Sequence, residues 1–287
     1  MKIALFVAGI AGLAAVAHSL RAPVEAKASD VEVIGLDYAF QLPHELPAGW
    51  TTFRFRNRGK VAHEFNIVML KRGVTIEQFI RAGREDKPQM IMVEGPVGVL
   101  FADPGKVSAL ALSSDLAAGR DYAVQCINRD SASAPRHLTM GMYALIHVTA
   151  RRTSSPIPPV KADTIVAVDY AYKYPHVLPA GRHTFMLRNE GKVRHEMNVA
   201  LLKKGVTLDS ALAIANAGGD VFPLLDNADG LLHSRPGETA LGGLEVDMLP
   251  GREYAIICFF SDGPKSPPHF KLGMYGSIKV AGNPVSQ

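Results

Sequence analysis

The chain is poor in several residue types that would each indicate a particular class of protein. Of its 287 residues only 2 are cysteine and 1 is tryptophan, and aromatic residues make up 7%. No basic stripe interleaved with aromatics is present, which argues against nucleic-acid binding. The net charge is +4, of which residues 1–28 carry +2 (three Lys or Arg against one Glu). The remaining charge of about +2 is too small to indicate a strongly acidic partner.

Motifs of the common catalytic chemistries are also missing. The sequence contains no Gly-rich phosphate loop and no motif for serine, cysteine or carboxylate catalysis. After residue 28, no segment is long and apolar enough to cross a bilayer, so we expect no integral membrane span in the mature chain.

The N-terminus has the pattern of a signal peptide. Lys2 precedes a short apolar run from Ile3 to Val16, and small residues suit cleavage after Ala17 or Ala28. We therefore predict a signal peptide over residues 1–28 and export to the periplasm or the cell exterior. An uncleaved N-terminal anchor is the alternative.

Most of the remaining chain is a duplication. "DYAFQLPHELPAG" matches "DYAYKYPHVLPAG", and "RNRGKVAHEFN" matches "RNEGKVRHEMN", without a gap. A repeat of more than 100 residues is a domain and not a solenoid unit. We predict a domain over residues 29–150, a proline-stiffened linker over 151–162 and a second domain over 163–287.

Each repeat has the pattern of a β-protein with one inserted helix. "TTFRFRN" and "HTFMLRN" alternate apolar and polar residues, as half-buried strands do, and turn signals separate many short strands. "TIEQFIRAGRE" and "TLDSALAIANAGG" follow a threonine N-cap with helical spacing. The predicted fold is all-β, with two tandem Greek-key β-sandwich domains that each carry a short helix.

One set of four residue types occurs twice, at an offset of 132 residues. The two sets are His63, Cys126, His137 and Met142, and His195, Cys258, His269 and Met274. Two imidazoles, a thiolate and a weak axial thioether are the ligands of a blue-copper electron-transfer site. The sequence therefore predicts two such copper sites per chain.

A disulfide is the ordinary interpretation of two cysteines in an exported protein. Here the two cysteines occupy equivalent positions in two repeats, so a bridge would have to join the same strand end of both domains. Each cysteine also has its own histidine and methionine downstream. We therefore favour two metal-binding thiolates over one disulfide.

These residues resemble the cupredoxin family of type 1 copper domains. The likeness covers residues 31–149 and 163–281 and lies in an upstream His followed by "CINRDSASAPRHLTMGM" or "CFFSDGPKSPPHFKLGM". It implies the same eight copper ligands and a β-sandwich fold. The Cys–His spacing exceeds that of the small soluble members and is closer to copper nitrite reductases. Glu64 and Glu196 stand where many members have Asn, and a carboxylate there could accept backbone N–H bonds.

Two methionines of the first repeat compete for the axial position. Met140 and Met142 both follow His137 closely. In the second repeat, position 272 is Leu whereas Met274 is kept. We therefore predict Met142 as the ligand and a packing role for Met140.

The family resemblance alone does not distinguish an electron carrier from a copper enzyme, and other residues bear on this choice. Related nitrite reductases and laccases have a catalytic copper bound by His-x-His motifs or coupled through a His before the Cys. This chain has no His-x-His, and Gln125 and Ile257 precede its cysteines. The leading hypothesis is a non-catalytic electron carrier with redox-protein partners. Copper handling and a nitrite reductase- or laccase-like enzyme are the alternatives, and an oligomer is left open.

Other repeated polar residues are expected to have structural roles. His44 and His176 repeat in a Pro-His turn, where a hydrogen bond within the structure is expected. Asp130 and Asp262 are predicted to cap the turn of the Cys–His loop.

Two more groups of residues are assigned no chemistry. The Asp–Tyr pairs at 37–38 and 169–170 are expected at a strand edge. Three histidines that lack a counterpart in the other repeat are predicted to be solvated or incidental: His147, His183 and His233.

Overall fold

The computed structural model describes residues 29–152, 162–219 and 221–282. The predicted signal peptide, residues 1–28, lies outside the described residues. Among the residues that are described, no helix has the length and apolar character needed to cross a membrane.

The first repeat folds into eight strands and one α-helix. In chain order they are β1 (Ser29–Leu36), β2 (Ala39–Gln41), β3 (Glu45–Asn57), β4 (His63–Leu70), α1 (Ile76–Arg84), β5 (Val93–Ala102), β6 (Val107–Leu116), β7 (Asp121–Gln125) and β8 (Tyr143–Arg152). Short 3-10 turns occupy Gln89–Met92 and His137–Met140.

The second repeat has the same order, except that two strands take the place of the long β3. Its elements are β9 (Ala162–Val168), β10 (Ala171–Lys173), β11 (Val177–Leu178), β12 (Gly181–Asn189), β13 (His195–Leu202), α2 (Leu208–Asn216), β14 (Leu225–Ser234), β15 (Gly242–Met248), β16 (Glu253–Ile257) and β17 (Tyr275–Val280). Its 3-10 turns are Phe222–Leu224 and His269–Leu272.

Each repeat is a sandwich of two sheets. In the first repeat, β2, β1, β3 and β6 form one sheet, and β5, β4, β7 and β8 form the other. The start of β3 also pairs with β8, so this strand passes from one sheet to the other. Phe53, Phe55 and Phe65 meet between the sheets and are fully buried, whereas Arg54 faces outward. The alternation follows from the two-residue period of a strand.

Both predicted helices are present, and the predicted threonines, Thr75 and Thr207, are their N-caps. The Thr75 side chain accepts from the Gln78 backbone, and the Gln78 side chain accepts from the Thr75 backbone. Thr207 and Ser210 make the same reciprocal capping box. Such caps satisfy donors that the first helical turn would leave unpaired.

The sheets of the two repeats join edge to edge. Strand β5 pairs with β14, and β6 pairs with β15, all antiparallel. The Thr52 hydroxyl donates to a Glu245 carboxylate oxygen at 3.0 Å, and Arg235 donates to the backbone carbonyls of Val93 and Glu94. Because both residues of the first hydrogen bond are buried, it adds specificity to the strand pairing.

The prediction of an all-β fold in two tandem domains is confirmed. Strand β8 runs to Arg152 and β9 begins at Ala162. Residues 153–161 lie outside the described residues, so the linker and the exact domain limits stay predictions.

Candidate metal centres

The four residues of the first set lie at the ends of neighbouring strands. His63 is the first residue of β4, and Cys126 directly follows β7, the antiparallel neighbour of β4. His137 opens a 3-10 turn, and Met142 directly precedes β8. Residues far apart in sequence thus meet at one end of the sandwich.

Backbone hydrogen bonds fix the loop that carries three of these residues. The Cys126 amide donates to the Met142 carbonyl at 3.1 Å, and the Leu138 amide donates to the Cys126 carbonyl at 2.8 Å. The Met142 amide donates to the His137 carbonyl at 3.0 Å. Gly141, between the last two, has a φ of 113°, which glycine adopts without steric cost. The loop is therefore a closed, hydrogen-bonded turn.

In the first repeat, three donor atoms converge on one point. The Nδ1 atoms of His63 and His137 lie 3.0 Å apart, and Cys126 Sγ lies 3.3 Å from His137 Nδ1 and 3.9 Å from His63 Nδ1. All three side chains are buried. Met142 is also fully buried at the end of this loop.

The second repeat contains a matching group. His195 Nδ1 and His269 Nδ1 lie 3.2 Å apart, and Cys258 Sγ lies 3.4 Å from His269 Nδ1. These three side chains are buried, as is Met274. The offset of 132 residues thus corresponds to two separate centres, one in each sandwich.

The donor atoms suit a soft transition metal. Burial lowers the pKa of His63 to about 4, with His137 adding to the effect, and burial likewise lowers the pKa of His195. The upstream histidine of each centre, His63 or His195, is therefore neutral at pH 7 and can donate a lone pair. Two imidazole nitrogens with a thiolate and a thioether form a set that favours copper over hard cations.

The thiols need a bound cation to lose their protons. Burial raises the pKa of Cys126 to about 12, with the Glu64 carboxylate adding to the effect, and burial raises the pKa of Cys258 to about 11. Both cysteines are free. A metal ion that displaces the proton supplies the positive charge that the buried sulfur lacks.

The placement of the two candidate axial methionines differs clearly. Met142 is 0% exposed, whereas Met140 is 37% exposed. In the second repeat, Met274 is 0% exposed and Leu272 is 45% exposed. The choice of Met142 over Met140 fits this difference.

Glu64 behaves as the sequence suggested. One of its carboxylate oxygens accepts from the Ile127 amide at 3.1 Å, just after Cys126. Burial raises the pKa of this carboxyl to about 7, and the hydrogen bond from Ile127 opposes the rise. Glu64 therefore ties the His strand to the chain that leaves Cys126.

The sequence missed the role of Asp130 and Asp262. Asp130 Oδ1 lies 2.9 Å from His137 Nε2, and its other oxygen accepts from the Tyr38 hydroxyl at 2.7 Å. In the second repeat, Asp262 lies 3.1 Å from His269 Nε2 and accepts from Tyr170 at 2.9 Å. These carboxylates hold the histidines in addition to any role in the turn. Their presence in both repeats was the available signal.

His233 is placed differently from the prediction of a solvated side chain. It is buried, and the Arg194 guanidinium donates to its Nδ1 while lying 5.0 Å from the centre of the Phe260 ring. The equivalent residues in the first repeat are Ala62 and Phe101. A partly buried cation, Arg194, therefore adjoins the second centre and has no counterpart at that position in the first.

A buried hydroxyl is a second difference between the centres. The Tyr172 hydroxyl donates to the Glu196 carbonyl and lowers the pKa of Cys258, against the larger effect of burial. The first repeat has Phe40 at this position. The sulfur of the second centre thus has a more polar surrounding.

The remaining histidines of the described residues make local contacts outside the two centres. His44 Nδ1 lies 3.3 Å from the Leu145 carbonyl, as expected of a structural turn histidine. The ring of His176 packs against Tyr174. His147 pairs with Asp121 at 2.7 Å and is exposed, in line with the prediction of a solvated side chain. His183 pairs with Asp163 at 2.7 Å and is partly buried, which corrects its prediction as a solvated or incidental side chain.

We expect both thiols to be unreactive in the folded, metal-free protein. Each sulfur is fully buried and its pKa is raised, so the reactive thiolate is scarce. A coloured disulfide reagent should label neither thiol in native buffer and both in denaturant, and Cys126→Ser should lower the denatured count to one. A denatured count of zero in the unreduced protein would show a disulfide instead.

Comparisons with known proteins give distant likenesses. No family model and no curated protein sequence matches the chain. Auracyanin from Roseiflexus castenholzii is 22% identical over 43% of this chain and 99% of that chain, with a TM-score of 0.29. Auracyanin A of Chloroflexus aurantiacus, a "blue" copper protein, is 18% identical over 43% and 100%, with a TM-score of 0.30. A copper nitrite reductase from Nitrosomonas europaea is 11% identical over 90% and 94%, with a TM-score of 0.26.

The fold is assigned from the architecture of the chain itself. Two β-sandwiches in tandem each bring an upstream His, a Cys and a downstream His together at one end. A buried Met directly precedes the last strand of each domain. The chain therefore has an all-β, cupredoxin-like fold of two domains.

Proposed function

We propose that the protein is an electron carrier with two type 1 copper centres and no catalytic copper. One observation carries the proposal: in each domain, two imidazole nitrogens and a thiol sulfur lie within 4.8 Å of one another, all buried. Met142 and Met274, both buried beside these groups, would supply the thioether sulfurs. Copper bound to such a set cycles between Cu(I) and Cu(II).

The protein's own residues would keep each centre rigid and dry. His63 is held at the start of a fully buried strand, and the loop from Cys126 to Met142 is closed by backbone hydrogen bonds. Ligands held in this way move little when the charge of the metal changes. A small movement keeps the energetic cost of reorganisation low, which suits rapid electron transfer.

The residues beside the cysteines support a carrier over an enzyme. Gln125 precedes Cys126, and its side-chain oxygen accepts from Gln89 at 3.0 Å. Ile257 precedes Cys258 and has no ligating atom. Neither position offers an imidazole that could couple a type 1 centre to a catalytic copper.

We further propose that the carrier works in the periplasm or outside the cell and exchanges electrons with other redox proteins. The support is the apolar segment Ile3 to Val16 and the two small-residue cleavage sites. N-terminal sequencing of the exported protein should find His18 or Ser29 as the first residue. An intact Met1 on the exported protein would indicate an uncleaved anchor instead.

The copper centres can be tested one at a time. Copper-loaded protein should contain two coppers per chain and show an intense visible thiolate-to-copper band. Cys126→Ser should remove one copper and about half of the band, because the second centre has its own cysteine; Cys258→Ser is the reciprocal control. An unchanged band in Cys126→Ser would refute Cys126 as a ligand.

The same samples separate the alternative functions. Tight Cu(I) binding without a visible band would indicate copper handling. Steady turnover of nitrite or a phenol by the copper-loaded protein would indicate an enzyme. Reversible reduction and oxidation with neither activity would support the carrier.

The two coppers should have different reduction potentials, with the second higher. The partly buried Arg194 cation adjoins only the second centre, and its charge disfavours the more positive Cu(II) state. Arg194→Ala should therefore lower the potential of the second centre and leave the first unchanged, as measured by spectroelectrochemistry.

A surface arginine of the same domain provides the control. Arg188 pairs with Glu190 at the surface, with 52% of its side chain exposed, and Arg188→Ala should move neither potential. Two equal potentials in the parent protein, or no change in Arg194→Ala, would contradict this electrostatic difference.

A further inference from the structure

The loop histidine of each centre is held by a carboxylate that is itself held by a tyrosine. His137 Nε2 lies 2.9 Å from Asp130 Oδ1, and the Tyr38 hydroxyl donates to Asp130 Oδ2 at 2.7 Å. The equivalent contacts of Asp262 with His269 and Tyr170 are 3.1 and 2.9 Å long. The same chain of three residues is thus built twice.

These contacts determine which nitrogen of the loop histidine carries a proton. An ionised carboxylate only accepts hydrogen bonds, so Nε2 of His137 must be the donor to Asp130. This arrangement directs the other ring nitrogen, Nδ1, toward Cys126 Sγ and His63 Nδ1. A carboxylate on the far nitrogen also makes the imidazole a more basic ligand.

The backbone at both tyrosines supports a dedicated role for their side chains. Tyr38 and Tyr170 have φ values of 62° and 63°, in the left-handed region that is costly for a residue with a Cβ. Each occupies the two-residue turn between the first two strands of its domain, a position that glycine would fill without strain. In both repeats the turn nevertheless has a tyrosine.

The tyrosine rings also limit the movement of the loop histidines. The ring of Tyr38 meets His137 edge to face, with centroids 5.2 Å apart, and the Tyr170 and His269 centroids are 5.0 Å apart. The ring edge and the carboxylate contact the imidazole from different directions.

We propose that Asp130 with Tyr38, and Asp262 with Tyr170, are positioning residues that fix the tautomer of the loop histidine and set the reduction potential of the adjacent copper. This inference rests on the proposed copper centres. The carboxylate charge stabilises Cu(II) and lowers the potential. The hydrogen bond from the tyrosine hydroxyl withdraws part of that charge and therefore raises the potential.

The opposite signs of these two effects provide the test. In a Cys258→Ser background only the first centre binds copper as a type 1 site. Asp130→Asn keeps an acceptor oxygen but removes the charge, so the visible band should persist and the potential should rise. Tyr38→Phe leaves the carboxylate without its donor, so the potential should fall. Asp130→Ala should raise the potential and weaken copper binding by about tenfold or more.

Asp262→Asn in the same background is the matched control. It makes the same chemical change beside the disabled centre, so the potential of the first centre should stay unchanged. If Asp130→Asn and Tyr38→Phe shifted the potential in the same direction, or not at all, the proposal would be overturned. A merely structural role would alter stability without this pair of opposite shifts.

A measurement on the metal-free protein distinguishes failure of this inference from failure of the copper proposal. Nitrogen NMR of the His137 ring should show a protonated Nε2 in the parent and in Tyr38→Phe, and a mixture of tautomers in Asp130→Ala. If no variant gave a visible band, the copper proposal would fail while the tautomer result still tested the role of Asp130. An identical tautomer in the parent and in Asp130→Ala would refute the positioning role.

Discussion

The antiparallel pairing of β4 with β7 is the constraint on which both the fold and the metal centre depend. It sets the first residue of one strand, His63, beside the residue that follows the other, Cys126. The Glu64 amide, 3.4 Å from Cys126 Sγ, shows how closely the two strand ends approach. The loop that runs from Cys126 to Met142 adds the other two candidate ligands, His137 and Met142.

The sequence is informative about the centres because each repeat tests the interpretation of the other. A single Cys or Met would have carried little weight, but matched pairs such as Cys126 and Cys258 indicated ligands. The strands and helices were predictable for a similar reason, since apolar periodicity and threonine caps are local signals. In β3, for example, the buried Phe53 and Phe55 alternate with two arginines that are exposed or partly exposed.

Contacts between distant segments were not predictable in this way. Tyr38 and Asp130 are 92 residues apart, and no period or local motif connects a hairpin turn to the Cys–His loop. The burial of His233 was missed for a different reason. The counterpart of His233 in the first repeat is Phe101, so the comparison of repeats indicated only that the position had diverged. In the structure, His233 accepts a hydrogen bond from Arg194, whose charge lies near the second centre.

The strand pairs that join the domains have a consequence for the solubility of the chain. Each domain has two strands at the edges of its sheets, β5 and β6 in the first domain and β14 and β15 in the second. The outer side of each of these strands pairs with a strand of the other domain. Open strand edges are templates for association with other chains. The duplication therefore gives each sandwich a neighbour that protects its edges, in addition to doubling the number of centres.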